Sequence, residues 1–333
     1  MDALSSGLRR AACIAAFYAV AAVAPSSAAQ AQTLQQRPIK VIMPYAAGGS
    51  WDVMLRVMVK LVADKHSRDI IVENRPGANT IVGANACKSA AADGHTVCLL
   101  AMPTMALNPL LKKSLSYHPE SDFEPVTMIA YVDHVVIMNK SLPVNTLQEL
   151  VAYSKANPDK LSYASNGVGG DAHLLLEWIK AKTGAKLTHV PFQGMAPAMA
   201  SIEGGHTHLL SLTPGISLVE RIQRGDFKAI LVDTDKRLSI LPQVPSISES
   251  GLPPFQARGW LGFFVPKGTP RNIISTLNAE FTGVIKDTEF QKKYLYSGGF
   301  FPVGGPPEQL RDEIRNARGP AAELVKISGV EPQ

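Results

Sequence analysis

Ile39-Lys-Val-Ile-Met-Pro-Tyr-Ala-Ala-Gly-Gly-Ser-Trp-Asp52 reads as a strand, a glycine turn and the start of a helix. Residues 39–43 are a short β-like run, and Pro44 ends it because proline has no ladder donor. Gly48 and Gly49 then let the backbone turn sharply. From Asp52 a helical period sets in. Arg56, Lys60 and Asp64 recur every fourth residue, with Val53, Val57 and Leu61 along another face. The alternation continues with a strand at 70–72, a turn at Asn74-Arg75-Pro76-Gly77, a small-residue helix at 81–91 and a strand at 96–100. This order predicts an α/β layer with a mainly parallel sheet.

The middle of the chain repeats the scheme. Strands are predicted at 135–138, 161–164, 186–190, 209–212 and 227–232, and helices at 146–156, from about 171 to 182, and at 196–203. Thr146 followed by Glu149 is a capping-box pattern. Pro242, Pro245, Pro253 and Pro254 mark a connecting segment. A strand at 260–265, a helix at 270–285 and two further helices close the chain.

With 333 residues the chain suits two domains of ordinary size, or one large one. A hydrophobic share of 46% against 18% charged excludes a disordered or coiled-coil protein. The net charge is +5, but the basic residues are scattered, without the stripe or tail of a nucleic-acid binder. The first residues read as a signal peptide, 1–31. Arg9 and Arg10 precede an apolar run at 11–23, too short to span a bilayer, and Ala29-Gln30-Ala31 is a cleavage motif. No later segment has the apolar length of a membrane span, so a soluble, exported mature chain is expected.

Cleavage leaves Cys87 and Cys98. In an oxidising compartment an even pair is read as a disulfide; the alternative is two separate buried thiols. No convergent Cys or His spacing suggests a metal, and His206-Thr-His208 lacks a third ligand. No cofactor is expected.

Two glycine loops each follow a strand and open a helix. In the first, Tyr45, Ala46, Gly48, Gly49, Ser50, Trp51 and Asp52 frame an anion site made of backbone amides and a helix N-terminus. Ser50 is the expected N-cap, and Asp52 suits the first helical turn. The second loop, Ser165-Asn-Gly-Val-Gly-Gly-Asp-Ala-His173, carries a G-x-G-x-x-A pattern, but no acid follows about 20 residues on, as a dinucleotide site would require. A carboxylate held by Ser165, Asn166, Gly167 and Gly169 fits better, with His173 tying the loop down or touching the ligand. After the next strand, Phe192 and Gln193 reach toward the same region. No nucleophile elbow, P-loop or zincin motif is present, so no enzyme is expected.

Residues 37–52, Val72-Glu-Asn-Arg-Pro-Gly-Ala78, Ala92-Asp-Gly-His-Thr96, Leu161-Ser-Tyr-Ala-Ser-Asn-Gly167, Val190-Pro-Phe-Gln-Gly194, Leu241-Pro-Gln-Val-Pro245 and Trp260-Leu-Gly-Phe-Phe-Val-Pro-Lys-Gly-Thr-Pro270 together carry a resemblance. In order and spacing they resemble the substrate-binding proteins of tripartite tricarboxylate transporters, the Bug-type extracytoplasmic receptors. The resemblance implies a two-domain, type II-like periplasmic-binding-protein (Venus flytrap) fold with the ligand cleft between domains. It implies domains at 37–130 with 255–333, and at 131–254. It further implies a periplasmic receptor, expected to be a monomer. Such a receptor captures a small carboxylate by closure and delivers it to membrane permease subunits, or else signals to a membrane sensor kinase. Two departures from the family stand out, Ala47 and Trp51. Trp51 is open to two readings, an aromatic cleft wall or packing against the neighbouring helix.

Overall fold

The computed structural model describes residues 34–332; the leader and its cleavage motif lie outside the described residues. The chain runs β1 (Ile39–Met43), α1 (Ser50–His66), β2 (Ile70–Asn74), α2 (Ile81–Lys88), β3 (Thr96–Ala101), α3 (Asn108–Leu111) and β4 (Phe123–Val132). It crosses to β5 (Val135–Asn139), α4 (Leu147–Ala156), β6 (Ser162–Ser165), α5 (Asp171–Thr183), β7 (Thr188–Pro191), α6 (Met195–Glu203), β8 (Leu209–Leu212), α7 (Ile216–Gln223) and β9 (Phe227–Val232). It returns through β10 (Gly259–Pro266), α8 (Arg271–Ile285), α9 (Thr288–Phe290), β11 (Phe300–Pro302) and α10 (Pro307–Ser328).

Two mixed sheets result, ordered β11-β4-β10-β3-β1-β2 and β7-β6-β8-β5-β9. β1 lies parallel to β2 and β3, and β6 parallel to β7 and β8. Each sheet takes an antiparallel strand between its third and fourth parallel strands, β10 in the first and β5 in the second, and β11 adds a further antiparallel strand at the edge of the first. In both sheets the inserted strand is the one the chain enters on arriving from the other sheet. Apart from the added edge strand β11 the two sheets are therefore topological copies, and β1 corresponds to β6.

Three local differences from the sequence reading have physical causes. In α1 the buried stripe is Met54, Leu55, Met58, Val59 and Val62, while Val53 and Leu61 are exposed. At 100° per residue, Val53 and Leu61 fall beside Lys60 and Asp64, so the charged row fixes the outward face. The strand β4, absent from the sequence reading, lies between β10 and β11. Its Pro125 conceals it, because proline is excluded from regular ladders. Here it pairs with Phe264 where the β10 register shifts. Of the two closing helices, one is the three-residue α9 and the other the 22-residue α10.

Cys87, at the end of α2, is bonded to Cys98 in β3, with Cα atoms 6.0 Å apart. Chain entropy alone assigns a closed loop of this size about 3 kcal/mol. The apolar face of α10 (Leu310, Ile314, Ala317, Ala321, Leu324) belongs to one core with Met128 of the first sheet and Met138, Leu174 and Trp178 of the second half. The crossing segments are tied by charge. Arg258 donates to Asp133 at 2.6 and 2.9 Å, and the Asp133 amide donates to the Gly299 carbonyl. Among the described residues no helix is long and apolar enough to cross a membrane, and no cluster of three or more potential metal ligands occurs.

Candidate functional site

Loops at the carboxyl ends of β1 and β6 occupy corresponding places in the two sheets, the position where open α/β sheets take ligands. Each loop ends in a glycine N-cap with extended backbone: Gly49 for α1 (φ −74°, ψ 166°) and Gly170 for α5 (φ −74°, ψ 164°). Neither cap supplies a side-chain hydrogen bond. The capping residue of α1 is thus Gly49 and not Ser50, which stands at the first helical position. Among the described helices only α4 and α9 begin with a side-chain cap, and α6 and α7 also start on glycines, Gly194 and Gly215. Thr146 Oγ1 accepts from the Glu149 amide at the start of α4, and Glu149 accepts from the Asn145 amide. At α1 and α5 the first-turn amides have no side-chain cap, which is the arrangement that takes an anion.

The first loop is held from behind. Asp52 is buried and accepts from the Gly48 amide (3.0 Å), Asn74 Nδ2 (2.9 Å) and Arg56 Nε (3.0 Å). Burial alone would raise its pKa; the donors from Arg56, Asn74 and Gly48 outweigh this and hold it below the usual carboxylate range. Asn74 also donates to the Tyr45 carbonyl. Ala46, Gly48 and Gly49 are left exposed and Ser50 half-buried. Trp51 packs edge-on against Tyr45 (4.6 Å between ring centroids), and its Nε1 donates to Thr213 Oγ1 (3.4 Å) beyond β8. It therefore both packs within its own half and reaches the other one.

The second loop rests on rings. Tyr163, His189 and His173 form a stack, with centroids 4.8 Å apart for Tyr163–His189 and 3.8 Å for His173–His189. His173 is buried, and its Nδ1 accepts from the Gly169 amide at 3.0 Å. His189 Nε2 lies 2.7 Å from Ser165 Oγ, which also accepts from the Gly167 amide. Asn166 Oδ1 would stand 2.6 Å from a Cβ at position 170, so a larger residue there would push the Asn166 side chain aside. Burial lowers the pKa of His173 and takes His189 down to about 4, with His173 adding to the effect on His189. Both rings are therefore held neutral. Because the folded values lie below the ordinary 6.5, the stability they confer is complete above that pH and is lost as pH falls toward about 4. Thermal unfolding midpoints followed from pH 7 to 4 are expected to fall less steeply for His189→Gln than for the parent. Parallel curves would show that this ring does not set the acid limit.

Several residues of this region escaped the sequence reading. After β2, which corresponds to β7, Ala78, Asn79 and Thr80 all have positive φ (46°, 49° and 73°). Gly77 (φ 132°) begins the turn, but none of these three is a glycine, and three strained residues in a row concentrate where function holds them. Asn79 and Asn108 exchange hydrogen bonds, Thr80 Oγ1 meets Thr104 Oγ1 at 2.7 Å, and Tyr117 donates to the Thr104 carbonyl. Phe192 and Gln193 occupy the counterpart turn. The Phe192 amide donates to the Ser165 carbonyl, Phe192 also borders a separate hollow of about 520 Å³, and Gln193 is exposed. His134 was also missed, since nothing in the sequence sets it beside its partners. Its Nδ1 lies 2.9 Å from Asp233 and its Nε2 3.7 Å from Asp171 in the first turn of α5. The two halves meet around the site. Leu111 of α3 lies against Gly169, and Gly215 before α7 lies against Ser50.

The profile of the family described as Tripartite tricarboxylate transporter family receptor matches residues 54–327. Protein BugT of Bordetella pertussis is 32% identical over 315 residues, covering 93% of this chain and 95% of its own length. The structure of periplasmic binding protein BugD is 30% identical, with a TM-score of 0.81, over 90% of this chain and all of that one (100%). The structure of R. palustris Rpa4515 with adipate is 27% identical, with a TM-score of 0.84 over the same shares, 90% and 100%.

Proposed function

We propose, from the premise that this chain belongs to the tripartite tricarboxylate transporter receptor family, that it captures one small organic acid between its two sheets and hands it to permease subunits in the membrane. The family consists of periplasmic solute receptors with a two-domain fold, not of enzymes. The observation that carries the reading is the pair of glycine-capped helix starts, Gly49 and Gly170, at corresponding places in the two sheets. The relative with adipate bound supports a carboxylate as the ligand. In this reading the domains are 37–130 with 255–333, and 131–254. The carboxylate lies on the amides around Gly48, Gly49 and Ser50 and on those around Gly167 and Gly169. Tyr45, Trp51 and Phe192 shape the space beside it. The mature protein works in the periplasm as a monomer, after removal of residues 1–31.

Gly49→Gln tests the site without disturbing the fold. A Cβ at position 49 meets nothing within 4 Å, and φ there is −74°, which any residue adopts. The added side chain is expected to crowd the anion position and weaken binding at least tenfold, with the unfolding midpoint unchanged. The probe is a thermal-shift screen against di-, tri- and aromatic carboxylates, using protein stripped of co-purified ligand. A ligand at about 100 times its dissociation constant adds about 2.7 kcal/mol of stability. Equal shifts in parent and variant would move the ligand elsewhere.

A further inference from the structure

Asp171 stands in the first turn of α5, immediately after the glycine cap that would take a carboxylate. A fixed negative charge at that point opposes an anion unless the ligand brings a positive charge with it. Its carboxylate side chain is 29% exposed, and its one ion pair among the described residues is with His134, at 3.7 Å. His134 is shared: its amide and its ring both bond Asp233, at 2.7 and 2.9 Å. Nearby, Arg258 is committed to Asp133. Three carboxylates thus face two cations at this end of the cleft, and one negative charge is left over. Asp171 is the carboxylate of the three with the most exposed side chain and the weakest ionic contact. It also bears on the opposite wall, since burial and then the Asp171 charge raise the pKa of the Tyr45 hydroxyl.

We propose that Asp171 recognises a protonated amine, so that the ligand of this cleft is a small amino acid or amino-dicarboxylate and not a simple organic acid. The carboxylate lies on the glycine-capped helix starts, and the ammonium group donates to Asp171 near the Tyr45 hydroxyl. The inference rests on the carboxylate-receptor reading above and adds the second half of the ligand to it. It also gives His134 a task, because a charged imidazole between Asp233 and Asp171 keeps the α5 carboxylate ionised and in place.

The test uses matched pairs that differ only in the amine: aspartate and succinate, glutamate and glutarate, phenylalanine and 3-phenylpropanoate. Each is titrated calorimetrically into the emptied mature protein, alongside the wider carboxylate panel. In at least one pair the amine-bearing member is expected to bind tenfold or more tightly. Asp171→Asn is expected to weaken that member at least tenfold and to strengthen its amine-free partner, bringing the ratio near one. If amine-free acids bind as well as or better than their partners, the proposal falls and the carboxylate receptor stands. If Asp171→Asn lowers both members equally, the residue is structural and the proposal falls. If no carboxylate of any kind binds folded, empty protein, both readings fall together.

Discussion

Replacing His134 with leucine is expected to cost about 3–5 kcal/mol of folding free energy, the range found when one partner of a buried ion pair is removed. His134 is 6% exposed and Asp233 3% exposed, so the stranded carboxylate has little access to water. Burial alone would lower the imidazole pKa. Asp233 first, and Asp171 with it, reverse this and raise it to about 10. The folded value lies above the ordinary 6.5, so the contribution is complete below pH 6.5 and is lost as pH rises through about 10. Urea unfolding at several pH values checks both points. The gap between parent and His134→Leu should be widest near pH 6 and narrow toward pH 10. A gap that ignores pH would mean that shape, and not charge, is what His134 supplies. Adding Asp233→Asn to His134→Leu should recover part of the loss, because the penalty lies mainly in the unpaired carboxylate.

The parts of this protein legible from its sequence are those with local causes. Residues 39–43 announce a strand because isoleucine and valine suit a pleated, half-buried surface, and the structure has β1 at Ile39–Met43. Thr146 announces a helix start because its hydroxyl can reach an amide three residues on, and it does. The glycine loops were visible for the same reason. What could not be read is what depends on distant partners. Ser50 has the chemistry of an N-cap, yet Gly49 takes the position, and Asp52 serves the loop by accepting from Gly48 once Asn74 and Arg56 fix it. The turn at 78–80 carries no sign of its left-handed backbone, because tertiary contacts from Asn108 and Thr104 hold it there. His189 looks like an ordinary strand residue until α5 sets His173 against its face. His134, Asp171 and Asp233 lie far apart in sequence and meet only through the crossing between the sheets.

Gly169→Val is expected to have the other large effect, on both stability and binding. Gly169 has φ +78°, where a β-branched residue is a steric outlier. A Cβ there would stand 2.5 Å from Leu111 Cδ1, inside any normal contact. Backbone strain and overpacking together amount to about 2–6 kcal/mol. The change also displaces the Gly169 amide from His173 Nδ1, so the second loop loses its anchor and carboxylate affinity should fall a hundredfold or more. The two contributions separate in a double-mutant cycle. Leu111→Ala removes the steric partner but leaves φ strained, so the double variant should be more stable than the sum of the single changes implies, by about 1–3 kcal/mol. Leu111 is carried by α3 from the first half and Gly169 by the loop after β6 from the second. The coupling energy therefore measures contact between the halves beside the ligand position. If closure accompanies binding, the coupling should grow when saturating ligand is present. A coupling of the same size with and without ligand would mean that Leu111 seats permanently against the loop, and that closure must pivot elsewhere.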